Sequence, residues 1–173
     1  MHRGSRGQSM VEFALLLPVL VLFIFGILDF GRSIYYYSAV SQAVGQAARA
    51  AALAPNSLPS NSDVLAAVQS GAGWIQLAPC PNDTPTTTGL PAGQAWLFIS
   101  NPGGADANSD GANAPGGESG TPGVGCSSPA RAVTGDKLQV EIVYNFTPFT
   151  PLIAQFTGNQ LFLSSTSVLP VEY

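Results

Sequence analysis

The sequence predicts an α+β chain in which a long N-terminal helix, membrane-spanning over its first half, carries a small antiparallel β-sheet head. Three observations carry this expectation. An apolar run over 13–28 follows a short basic start, apolar residues then recur at helical spacing to about residue 53, and a period-two alternation appears at 137–147. Of 173 residues, 46% are hydrophobic and 9% charged, so one anchor and one head outside the cytoplasm are the most that fit. Gly (19) and Pro (14) are numerous enough to require long irregular loops.

The same composition excludes function classes. Net charge is -4 with only six Lys and Arg, so there is no cationic stripe for nucleic-acid phosphates and no nucleic-acid partner is expected. The single histidine, His2, lies in the N-terminal tail, and the two cysteines stand far apart in sequence. Histidine acid–base chemistry, zinc clusters and iron–sulfur ligation lack their parts. No Ser/His/Asp, Cys/His or paired-carboxylate constellation is visible, so the chain is read as a structural protein and not an enzyme.

Residues 1–7 are short and basic, and Arg3 and Arg6 hold the start in the cytoplasm by the positive-inside rule. The segment 11–34, at about 1.5 Å per residue, covers roughly 36 Å, enough for a hydrocarbon core of about 30 Å. Tyr35, Tyr36 and Tyr37 follow where an outer aromatic belt would sit. A cleaved secretory signal is the competing reading, but the apolar core is followed by Leu28, Asp29, Phe30, Gly31 and Arg32 instead of small residues at A-x-A spacing. Two acids stand inside the span, Glu12 and Asp29. The plain reading is that both snorkel to the interfaces, Asp29 meeting Arg32 at i, i+3 spacing.

For Glu12 the neighbouring residues point elsewhere. Gly7-Gln8-Ser9-Met10-Val11-Glu12-Phe13 resembles the recognition site of type IV prepilin peptidases, and the stretch 6–49 resembles the TadE-like pseudopilins of tight-adherence (Tad, Flp-type) pilus systems. The resemblance rests on Gly7 with Glu12 and Phe13, on Pro18 within the apolar run, on Asp29-Phe30-Gly31-Arg32, and on the Ala-rich helix ending near Arg49. It continues weakly in Tyr144-Asn145-Phe146-Thr147-Pro148 and a final strand, while 55–136 matches nothing. It implies a pilin-like fold and a prepilin cut between Gly7 and Gln8. In such proteins the Glu pairs with a neighbouring subunit's N-terminal amine, which here would offset the desolvation of both charges. Implied partners are a prepilin peptidase, other pilin or pseudopilin subunits, the inner-membrane assembly platform and the lipid bilayer.

Beyond Arg32, Ile34, Tyr37, Val40, Val44, Ala47, Ala48 and Ala51 keep helical spacing, so the helix is expected over 8–53 until Pro55 and Asn56 stop it. Pro18 has no amide hydrogen and should kink or loosen it. Ala43, Ala47 and Ala51 permit close packing, either against the head as a spine or against another subunit.

The head is assigned to 54–173. A short helix is expected over 61–76, capped by Ser62 or Asp63 and broken at Gly71 and Gly73. Strands are expected at 95–100, 137–147 and 160–172. In the second, Leu138, Val140, Ile142, Tyr144 and Phe146 share one face and Gln139, Glu141 and Asn145 the other. Trp74 and Trp96 are assigned to the core, with a glycan or ligand platform as the competing reading. Over 101–129, twelve of 29 residues are Gly or Pro, so this loop cannot order itself alone. Cys80 and Cys126 bracket most of it and, outside the cytoplasm, read as a structural disulfide.

Asp106, Asn108, Asp110 and Gly111 match the opening of a calcium loop, but position 117 is Gly where a bidentate Glu belongs, and the acid is Glu118. A solvated turn-rich loop is the plainer reading, and calcium the only cofactor the sequence suggests. The functional expectation is a minor pilin or pseudopilin, cut after Gly7 and assembled into or at the base of a pilus. The alternatives are an uncleaved single-pass anchor with a binding head, or a major subunit that forms the filament.

Overall fold

A computed structural model describes residues 5–52, 61–78, 87–100, 126–127 and 137–170. The N-terminal leader up to Gly4, Leu53 and the Pro55 stop, Cys80, and Asp106, Asn108 and Asp110 lie outside the described residues. So does most of the 101–129 loop.

Helix α1 spans Ser5–Ala52, 48 residues and roughly 72 Å at the standard rise, and runs uninterrupted through Pro18. Its outer half presents small side chains on one stripe: Val40, Ala43, Val44, Ala47 and Ala48 are all fully buried. Small residues at i, i+3 and i+4 let a sheet and a second helix approach the backbone closely. For Ala43 and Ala47 the spine reading therefore holds, since both lie in the intramolecular core.

Helix α2 (Asn61–Gly71) packs along α1 through Val64 and Val68. It begins at the expected residue 61, with Ser62 and Asp63 already inside its first turn, and ends at Gly71, the first of the two expected breaks, and not at 76. A Cβ on Gly71 would come within 2.6 Å of the Gln46 side chain, which marks how closely the two helices approach.

The sheet contains β1 (Gln76–Leu77), β2 (Gln94–Ser100), β3 (Cys126–Ser127), β4 (Lys137–Phe146) and β5 (Leu161–Pro170). Strands β2, β4 and β5 form an antiparallel core, with Leu97 opposite Ile142 and Ile142 opposite Ser165. The sheet is nevertheless mixed, not purely antiparallel. Both two-residue strands, β1 and β3, pair in parallel with β2. Parallel neighbours need a long crossover, and strands this short carry no period-two signal, so periodicity could not reveal them.

One sheet face lies on α1 and α2 through Leu97, Ile99, Leu138, Val140, Ile142 and Phe146. The other gathers Ala78, Leu90, Trp96, Phe98 and Val143 into a second cluster. Asn145, fully buried, ties the covering segment down: its Nδ2 donates to the Leu90 carbonyl at 2.8 Å, and its own carbonyl accepts from the Gly93 amide at 2.8 Å. Trp96 is a core residue as expected, whereas Trp74 is 39% exposed. Its indole packs edge-on against Tyr36 and Tyr144 at the side of α1.

Between β4 and β5 the chain forms a helix that strand patterning does not anticipate, α3 (Pro151–Thr157). Pro151 stands in its first turn, where proline's fixed φ suits a helix start. Gly158, at φ 65°, ends it by donating its amide back to Ala154.

Candidate functional site

The residues expected to act in processing and assembly fall into two groups along α1. Gly7, Gln8, Glu12 and Phe13 occupy its first turns, all exposed among the described residues. The Gln8 Nε2 donates to Glu12 Oε1 at 3.4 Å across one helical turn. Beyond them the apolar side chains point in every direction. Met10, Phe13, Leu15, Leu16, Phe23 and Ile27 are each more than 60% exposed, so this half of the helix has no partner among the described residues. The helix is long and apolar enough to cross a membrane.

The second group is where the head meets the helix. Asp29 is not at an interface reaching for water: it is 4% exposed. Its Oδ1 accepts from the Phe149 amide at 3.0 Å and its Oδ2 from the Thr150 amide at 2.7 Å, contacts across some 120 residues of sequence. The expected neighbour Arg32 is present as well, its Nη1 3.5 Å from Asp29 Oδ1. Snorkelling is thus corrected for Asp29. Two backbone amides brought by the head hydrogen-bond the carboxylate, and the Arg32 guanidinium one turn along α1 offsets its charge, so burial is compensated.

Arg32 is in turn seated among rings, its guanidinium carbon 4.0 Å from the centre of Phe149, 5.2 Å from Phe146 and 5.8 Å from Tyr36. Tyr36 stacks on Tyr144 at 5.4 Å and 14°. Burial beside Tyr36 pushes the Tyr144 hydroxyl above its ordinary pKa, against a smaller lowering by Arg32. The expected triple-tyrosine belt is therefore split: Tyr35 and Tyr37 are exposed, while Tyr36 turns into the head. Successive residues about 100° apart on a helix cannot share a face.

A cleft of about 230 Å³ opens beside this junction, lined by Gly26, Asp29, Phe30, Ser33, Phe146, Pro148, Ile153 and Leu161. Apart from Asp29 its walls are apolar or hydroxylic, which suits hydrocarbon better than a charged ligand.

Sequence reasoning missed the two amides that hold Asp29. Amides carry no side-chain signature, and only Thr150-Pro151 ahead of Gly158 hinted at a helix start there. Cys126 lies in β3, but Cys80 and the Cys126 side chain are outside the described residues, as is the 106–110 pattern. Among the described residues no group of three or more His, Cys, Asp or Glu could hold a metal.

No curated protein and no solved structure matches the chain. Residues 7–49 match the family described as TadE-like protein. That match begins in the first turn of α1, ends at the basic residue of its last turn, and does not extend to the Tyr144–Pro148 similarity. It covers about a quarter of the chain and includes the exposed apolar half-helix, Asp29, Arg32 and the buried alanine stripe. Over its N-terminal helix, the element on which the whole head is built, this protein is similar to the TadE-like family.

Proposed function

We propose that this protein is a minor pilin or pseudopilin of a bacterial tight-adherence type IV pilus. In this reading it is inserted with its N-terminus in the cytoplasm, cut between Gly7 and Gln8 by a prepilin peptidase, and assembled through its helix. The observation that carries it is the coincidence of the family match with a helix whose first half is apolar on all sides and, among the described residues, unpartnered. Such a surface is stable in lipid, and, when the subunit leaves the bilayer, only against the helices of other subunits.

Processing has a conformational requirement. Gly7 lies within α1, so the first turn must unwind before a peptidase can hold the Gly7-Gln8 bond extended. Glycine lowers that cost, since it disfavours helix by about 1 kcal/mol relative to alanine. After the cut, Gln8 carries the new amine and Glu12 the carboxylate for a neighbour's amine, while Pro18, Asp29 and Arg32 shape the helix for assembly.

Intact mass and N-terminal peptide mapping of protein taken from its native membrane or from sheared surface material test this reading. A mature start at Gln8 is expected. A start at Met1 or His2 would make the chain a permanent single-pass anchor. Filaments composed of this chain alone would make it a major subunit.

A further inference from the structure

The head does not stand clear of the span. Its attachment to Asp29 brings Phe149 and Thr150 alongside the last turns of the apolar run, and the cleft below reaches Gly26. If the hydrocarbon core begins at Val11, about 30 Å of it ends near Phe30. The underside of the head, 148–161, therefore lies at the level where the acyl chains end.

The side chains there fit that level. Phe149 is 74% exposed, and the partly exposed Leu161 lines the same cleft as the exposed Phe30 of α1. No charged side chain occurs between Glu141 and Glu172. The cation that does reach this rim, Arg32, is held over the Phe149 ring with its side chain about one-third exposed, just beyond the end of the apolar run. Aromatic rings beside an arginine at the end of a span are how proteins meet the headgroup boundary. The cleft joins span and head through apolar residues on both sides, Gly26 and Phe30 of α1 and Phe146, Pro148, Ile153 and Leu161 of the head, and the polar side chains exposed nearby, Gln155, Asn159 and Gln160, are uncharged, which favours lipid as the cover.

We propose that the underside of the head, centred on Phe149, is a lipid-binding surface seated in the outer leaflet at the acyl–headgroup boundary. The Asp29 clasp sets its depth. The membrane-resident protein is then held at two points, the helix and the head's underside, and these fix the rotation of α1 about its own axis. This inference rests on the reading of α1 as a membrane span. It does not depend on peptidase processing.

The test places trifluoromethyl-phenylalanine, one position at a time, at 149, at 23 and at 166 in the full chain. The protein is reconstituted in nanodiscs of phosphatidylethanolamine and phosphatidylglycerol. Fluorine relaxation is compared with a lipid spin-labelled near its headgroup and with a water-soluble nickel chelate. Position 23 should respond to lipid labels only, and position 166, on the outward face of β5, to nickel. Position 149 is expected to respond several-fold more to the lipid label than to nickel. A response at 149 like that at 166, with position 23 still in lipid, would overturn the seating and leave the span intact. Shielding of 149 from both agents would mean that protein covers it, and the proposal would be wrong. Failure of the lipid label to reach position 23 would remove the span and this proposal together.

Discussion

The two halves of α1 are both rich in apolar residues and share one helical geometry, yet they meet opposite fates. Residues up to 28 carry Leu, Phe, Ile and Val on every side, and from Met10 onward nearly all remain exposed. Residues from 40 to 48 carry Ala and Val on a single stripe, and that stripe is fully buried beneath the sheet and α2. A helix apolar all round has no preferred face for a single protein partner and is solvated by lipid. A helix with a narrow stripe of small residues organises a core. Asp29 and Arg32 stand at the junction, where one regime gives way to the other.

That contrast can be broken at its junction with the largest effect. Asp29→Ala would leave two amides and one guanidinium without their shared carboxylate. Its cost should be about 3 kcal/mol of head docking, the range for stranding buried partners of a charge. Hydrogen exchange in nanodiscs would register it as lost protection across 149–157 while β2 and β4 keep theirs. Asp29→Asn, isosteric but uncharged, keeps a neutral acceptor and should cost less; equal costs for the two would mean that the charge carries the whole effect, and no cost for Asp29→Asn would mean that charge contributes nothing.

The halves themselves separate in a second pair of substitutions. Ala47→Leu forces a larger side chain into a filled core and should destabilise the head by about 2 kcal/mol in chemical denaturation. Leu20→Ala, the reverse change in size, should leave head stability within about 0.5 kcal/mol, because Leu20 stays exposed among the described residues. A comparable loss from Leu20→Ala would show that the inner half does support the head.

Smaller effects sharpen the picture of the head. Gly158→Ala places a Cβ at φ 65° at the end of α3 and should cost about 1 kcal/mol by thermal melting. Glu141, on β4 opposite Phe98, has its carboxyl pushed above the usual pKa by burial, with Gln139 partly opposing this. A raised acid pKa means that the folded head binds the proton more tightly than the unfolded chain does. Its contribution is therefore present below the ordinary carboxylate pKa of about 4.3 and is lost as pH rises through the raised value. Glu141→Gln should flatten the head's stability against pH over the acid range, and an unchanged slope would show that burial of this carboxyl is immaterial.

Much of the architecture was legible because it is written in local periods. The 3.6 period of α1 and the alternation of Leu138, Val140, Ile142, Tyr144 and Phe146 need no knowledge of what they pack against, and both recur in the structure. The two-residue strands β1 and β3 were not legible, since a parallel pairing of two residues leaves no pattern. Helix α3 was hidden for a related reason: seven residues hold two turns, too few for a period to declare itself. Trp74 shows another limit, because its composition suits a core while its place at the flank of α1 leaves it partly open.

The candidate site divides along the same line. Gly7, Gln8, Glu12 and Phe13 stand within seven residues at the head of an apolar run, so the sequence alone marked that segment as the candidate and announced the long helix that holds it. Spacing alone also determined that Asp29 and Arg32 would be neighbours. Only the tertiary structure decided that Asp29 is buried under the head, that Tyr36 turns inward while Tyr35 and Tyr37 stay outside, and that Phe149 is left facing out beside the end of the span. The physical reason is one of range. Backbone propensity and amphipathic spacing act within a turn or two of chain, whereas a carboxylate's partners are set by whichever amides the folded chain carries to it, here from 120 residues away.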